Sequence, residues 1–274
     1  MDNISKIMWY LKLVAKEPID VDGKIYWEDI KTIKLSDTFF YTDDCISCGC
    51  CCVTEDNVFT QHEYDIIKNM TDEEFLKDHP FLDPNNLHRL RDGIQEVKRT
   101  INGIERSFYI FKLQKTTYFV PSKGPNGKTV DRCTWQTHQD DKFYCGIHPV
   151  ESITCIIPHM RWFYNSRSKA LSIATSQYGR NWALGCPIKF NAPSNEEQFN
   201  IIKESRLEKL SHLLRCADDL GVDTWLPEMI KFIEQITFDN QNKYYHVDIK
   251  TFDGNIGKTN SKFKLLAKAI NGGN

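Results

Sequence analysis

A chain of 274 residues, 41% of them hydrophobic and 12% aromatic, is long enough to bury an ordinary core and sits near the upper end for one domain. Its 35 lysines and arginines nearly balance 37 aspartates and glutamates, which excludes a global field that would draw in nucleic acid or an anionic membrane. No stretch approaches the roughly 18 apolar residues of a membrane span, and the opening MDNISKIMWYLKLVAKEPID, broken by charge, lacks the apolar run and cleavage site of a signal peptide.

Over residues 1–16 the spacing of Ile4, Ile7, Met8, Leu11 and Val14 predicts a short amphipathic helix. Strands are expected over Lys24 to Ile33 and Thr38 to Tyr41, delivering the chain into the run CISCGCCC. Thr60 with Glu63, and Thr71 with Glu74, are capping-box pairs that predict two helix starts. Two apolar runs around Gln114 and Lys115 predict a hairpin over Arg106 to Val120, and GPNG at Gly124 to Gly127 predicts a turn. A strand follows at Ala170 to Thr175. A capping Ser194 then opens a long helix running to Gly221, a second helix covers Trp225 to Ile236, and Tyr244 to Asn274 is strand-like, then helix-like. The expected fold class is α+β. A cysteine-rich metal-binding domain with hairpins would occupy residues 1–193, its core about 20–190, with a helical C-terminal extension over 194–274 packed on it.

The absence of a span or leader makes the expected location cytoplasmic, with no membrane partner. In that reducing compartment, ten cysteines are metal ligands or reactive thiols rather than disulfides. Five of them, Cys45, Cys48, Cys50, Cys51 and Cys52, fall within eight residues. A CxxC spacing lets two thiolates converge on one ion, whereas neighbours such as Cys51 and Cys52 point to different sides of the chain. Their crowding favours two metal positions or a multinuclear cluster, and inclines the reading toward iron. Downstream lie Cys133, Cys145, Cys155 and Cys186, with His148 and His159 as weaker candidates. Cys216, on the later helical stripe, reads as core, and His62, His79, His88, His212 and His246 as surface or helix residues.

At these residues the sequence resembles the YkgJ-type cysteine cluster family of zinc- or iron-chelating proteins. Its hallmark CxxCxxCC is similar to Cys45 through Cys52, with Cys50 in the variable slot, and its acidic helix start resembles Val58, Phe59, Thr60 and Glu63. Its second signature is similar to Cys145, His148, Cys155 and Pro158, although His148 replaces a tyrosine and Glu151-Ser152 replaces an Arg-Pro pair. With Cys50 set aside as the variable slot of that motif, the expected ligand set is Cys45, Cys48, Cys51, Cys52, Cys133, Cys145, Cys155 and Cys186, with an iron-sulfur cluster or iron as cofactor and zinc as the alternative.

Three functions follow. The first is a metal-binding protein with clustered thiolate ligation. The second, because the family includes flagellin lysine N-methylases, is a protein-modifying enzyme with a protein substrate. Its adenosyl cofactor would need a site other than a GxGxxG turn, which this chain lacks. The third is a zinc-organised module for a protein or a nucleic acid, the latter disfavoured by the charge balance. Lys262, Lys264 and Lys268 among apolar neighbours are the one basic amphipathic stretch in its favour.

Overall fold

A computed structural model describes residues 3–43, 56–112, 116–120, 128–140, 142–150, 152–156, 160–175, 190–241 and 245–249. Helix α1 (Asn3–Leu11) buries Ile4, Ile7, Met8 and Leu11, the stripe that its spacing predicts. The strand expected over Lys24 to Ile33 is broken. β1 (Ile19–Val21) and β2 (Lys24–Tyr26) form a hairpin, and β3 (Thr32–Leu35) starts separately. The strand expected at Thr38 to Tyr41 is instead a 3-10 helix, Asp37–Phe40. Ser36 Oγ accepts the Thr38 N–H at 3.2 Å, and the neighbours Phe39 and Phe40 are both buried, which a two-residue alternation would not permit.

After β4 (Thr42–Asp43) come β5 (Asn57–Phe59), α2 (Gln61–Asn69) and α3 (Asp72–Leu76). Both helices begin at the expected capping boxes, with the Thr60 N–H on Glu63 Oε2 and the Thr71 N–H on Glu74 Oε2, each at 2.7 Å. The next elements, α4 (Asn85–Gly93), β6 (Ile94–Ile101) and β7 (Ile104–Phe111), lie partly outside the sequence expectation. The hairpin expected over Arg106 to Val120 does not form: β7 pairs with β6 and β5, whereas β8 (Thr116–Val120) pairs with β9 (Lys128–Arg132). Asn102 and Gly103, at φ 48 and 78, supply the left-handed pair that a tight β6–β7 turn requires, and Gln114-Lys115 offers nothing comparable. The GPNG sequence lies outside the described residues.

The chain continues through the hairpin β10 (Gln136–Gln139) and β11 (Lys142–Cys145), α5 (Ile153–Ile156), β12 (Met160–Asn165), β13 (Ala170–Thr175), β14 (Phe190–Asn191), α6 (Glu196–Asp219), α7 (Leu226–Glu234) and β15 (Tyr245–Asp248). Helix α6 is capped by Asn195, whose side chain accepts the Gln198 N–H at 2.8 Å. Ser194, the expected cap, instead donates its N–H and hydroxyl to the Gln198 side chain.

The fold is α+β. One antiparallel sheet has the order β2-β1-β6-β7-β5, and a mixed sheet has the order β12-β13-β3-β15 with β13 and β3 parallel. Buried residues of α1, β3, β13, α6 and α7 share one apolar cluster. A smaller cluster gathers Phe59, Ile67, Phe75, Leu87, Leu90 and Trp135, and Cys133 and Cys145 pack against it. No helix among the described residues is long and apolar enough to cross a membrane.

Candidate metal centre

Of the sequence-predicted ligands, Cys133, Cys145 and Cys155 are described, all as thiols. Cys45, Cys48, Cys51, Cys52 and Cys186 lie outside the described residues, as do Cys50, Pro158 and His159. Cys133 precedes β10 and Cys145 ends β11, so the hairpin carries both to one end: Gln136 pairs with Cys145, and its N–H bonds the Cys133 carbonyl at 3.1 Å. Closing that end requires glycine at 146. Its N–H reaches the Trp135 carbonyl at 2.5 Å, and a Cβ there would stand 2.5 Å from the same oxygen. His148 stacks edge-on against His79 at 4.7 Å, and its Nδ1 is buried without a hydrogen-bond partner among the described residues.

Cys155 comes from α5 and meets a polar pocket. Its sulfur accepts from Asn57 Nδ2 at 3.3 Å and from the Ser152 hydroxyl at 3.4 Å. Asn57, the first residue of β5, also donates to Ser152 Oγ at 3.1 Å and accepts the Trp135 indole N–H at 3.0 Å. Cys133 lies within electrostatic range of Cys155. Burial pushes its thiol up to about 11, and a backbone hydrogen bond from Trp135 opposes that rise.

A second group, absent from the sequence expectation, is more tightly closed. Glu63, His212 and Cys216 bring one donor atom each within 4.8 Å of one another, the one such trio among the described residues. The three thiols Cys133, Cys145 and Cys155 thus do not by themselves reach metal-ligand separations. Helix periodicity sets His212 and Cys216 one turn apart on α6, facing α2. Glu63 is the N3 residue of α2. Its Oε2 takes the Thr60 N–H, while its Oε1 takes the Ile153 N–H at 2.6 Å and lies 2.8 Å from His212 Nε2. The Thr60 hydroxyl donates to Cys216 Sγ at 3.6 Å. Cys216 is fully buried, as the sequence reading of a core cysteine expects, and burial, with the Glu63 charge next, drives its thiol far above the ordinary range.

No family model, no curated protein and no solved structure matches this chain. The chemistry of the site rests on its own residues. Glu63, His212 and Cys216 could hold a metal ion, since carboxylate, imidazole and thiolate are all zinc and iron donors. The i, i+4 pair His212-x-x-x-Cys216 was the available signal, and it was missed because each residue, read alone, fits a helix face. Among the aromatics, Trp135 and Trp162 are buried core residues. Of the eight histidines, His212 is the one that joins a possible ligand trio among the described residues.

Proposed function

We propose that this protein binds a metal through clustered cysteine thiolates, as its resemblance to the YkgJ-type cluster family implies. Cys45, Cys48, Cys51, Cys52, Cys133, Cys145, Cys155 and Cys186 are the ligand set, and iron, alone or as an iron-sulfur cluster, is favoured over zinc. The observation that carries the reading is how the described frame holds the ends of the cysteine-bearing segments. Asp43, two residues before Cys45, is paired with Phe190, four residues after Cys186. Asn57, five residues after Cys52, bonds the Cys155 sulfur and the indole of Trp135, two residues after Cys133. Arg206 of α6 adds a brace at the entry, donating to the carbonyls of Phe39 and Tyr41 at 3.3 Å each.

The donor chemistry fits a thiophilic metal. Soft sulfur ligands select zinc, copper(I) and iron-sulfur clusters over hard cations. Hydrogen bonds aimed at Cys155 are the kind of outer contact that orients a thiolate ligand and moderates its charge. A bound metal would cross-link segments that are distant in sequence, and apparent binding energies of about 10–16 kcal/mol for structural zinc match a whole domain's net stability.

The deciding experiment is oxygen-free purification followed by metal analysis and a visible spectrum. Stoichiometric iron with a sulfur-to-iron band is the expected result, with its loss in Cys133→Ser and Cys155→Ser. A colourless protein with stoichiometric zinc replaces iron by zinc, and a protein that carries and takes up neither metal ends the proposal.

A second reading places the ion on Glu63, His212 and Cys216, favoured by their 4.8 Å closure. Against it, the Glu63 carboxylate is already engaged by two backbone N–H groups and His212. Metal content that survives Cys133→Ser and Cys155→Ser but is lost in His212→Gln would establish this alternative.

A further inference from the structure

Indole N–H groups donate and never accept. The 3.0 Å contact from Trp135 Nε1 therefore fixes which end of the Asn57 amide is oxygen: Oδ1 faces Trp135. The amide NH2 must then face the other way, where one hydrogen meets Ser152 Oγ at 3.1 Å and the other meets Cys155 Sγ at 3.3 Å. Ser152 accepts from Asn57, so its own hydroxyl hydrogen is available to Cys155 Sγ, 3.4 Å away. Direction is thus imposed along the whole chain of bonds, from Trp135 through Asn57 and Ser152, and it ends with two donors on one sulfur. Trp135 and Asn57 are each 2% exposed and Ser152 is 0% exposed, so water does not compete for these bonds.

We propose that Asn57 and Ser152 are positioning residues that hold the Cys155 sulfur in place as a metal ligand and set its donor strength. The inference rests on the metal-binding reading above and goes beyond it by assigning a tuning role to two residues that are not ligands. Hydrogen bonds to a ligating sulfur withdraw charge from it, which alters both metal affinity and the energy of sulfur-to-metal charge transfer. Ser152 stands where the resembled pattern carries proline, so this hydroxyl is a departure from that pattern. The same Trp135 that orients Asn57 also places its backbone N–H on Cys133, so one residue couples the surroundings of two thiols.

The test uses the full chain, reduced and stripped of metal, titrated with Co2+ as a spectroscopic probe of thiolate sites. Asn57→Leu removes both amide N–H donors, to Cys155 and to Ser152, at nearly constant size, and Ser152→Ala removes the hydroxyl donor. Each is expected to weaken Co2+ binding by about 10- to 100-fold and to shift the sulfur-to-cobalt charge-transfer band relative to the unsubstituted protein. Should Asn57→Leu fail to fold, Ser152→Ala alone decides, since it deletes a single oxygen. Lowered thermal stability with an unmoved band and unchanged affinity would make the network merely structural and overturn the inference while leaving the metal reading intact. If the unsubstituted protein takes up no Co2+, the metal reading falls and takes the inference with it.

Discussion

Ser152 and Ile153 are neighbours in sequence, yet they serve two sites of opposite chemistry. The Ser152 side chain donates to the Cys155 sulfur, in a pocket whose fixed groups are donors aimed at a potential anion. The Ile153 N–H donates to Glu63, in a trio whose anion is already satisfied by backbone donors and an imidazole. Both sites contain a cysteine and both would pass a search for ligand types. The distinction lies in how the groups are satisfied without a metal: the sulfur of the first is solvated by two side-chain donors, whereas the second is a closed clasp tying α2, α5 and α6. Closeness of donor atoms and the direction of the hydrogen bonds around them thus single out different groups in this chain.

The largest effect that would break this contrast comes from metal removal. Chelation under reducing, oxygen-free conditions should lower the melt of the central segments by more than any substitution below, because structural zinc supplies apparent binding energies of about 10–16 kcal/mol. Calorimetry of loaded and stripped protein measures it, and superimposable melts would deny the thiol site any structural role. Next in size is Glu63→Ala. It removes the capping-box acceptor and strands the buried Ile153 N–H, and the two losses together cost about 3 kcal/mol. Urea unfolding of the stripped protein should show that decrease, while metal stoichiometry stays unchanged.

How much of this was legible in the sequence depends on the range of the interactions. The helix starts at Thr60 and Thr71 were readable because a capping box is complete within four residues. The α6 stripe was readable for the same local reason, although its cap moved from Ser194 to Asn195, a choice between two competent side chains. The Arg106 to Val120 hairpin failed because apolar runs announce strands without naming their partners, and the Asn102-Gly103 turn that decides the pairing went unread. At the candidate site, cysteine spacing singled out Cys133, Cys145 and Cys155. It could not reveal Asn57, which acts on Cys155 across 98 positions of sequence. Glu63 was recognised as a cap, but its meeting with His212, 149 positions away, is a product of tertiary packing.

Alkaline pH sharpens the comparison further. Burial raises the Cys133 thiol from the ordinary 9.0 to about 11, so between those values the folded state holds a proton that the unfolded state releases. Stability of the stripped protein should therefore be fully present below about pH 9 and fall as pH rises toward 11, by about 2–3 kcal/mol at most. Cys216 acts in the same direction. A metal that binds Cys133 as thiolate removes its proton in the folded state beforehand, so the loaded protein should lose the Cys133 share of this decline. Urea midpoints at pH 8 and pH 10.5, with and without metal, measure the difference, and an equal decline in both would place Cys133 outside the ligand set.

Cys216→Ala carries the smallest effect and tests the clasp most directly. The sulfur is fully buried in the larger apolar cluster, where it accepts only a long 3.6 Å bond from Thr60 among its described contacts. Its deletion leaves a small cavity and removes that acceptor, costing about 1 kcal/mol, or a melting shift of about 2–4 °C for a chain of this size. The Glu63 bonds to Thr60, Ile153 and His212 do not involve the sulfur and should survive, visible as unchanged protection of the Thr60 and Ile153 amides from hydrogen exchange. Metal content per chain should also be unchanged. A loss of one metal equivalent, or a melting shift several times larger, would mean that Cys216 is a ligand and that the closed trio, rather than the thiol pocket, is where this protein holds its ion.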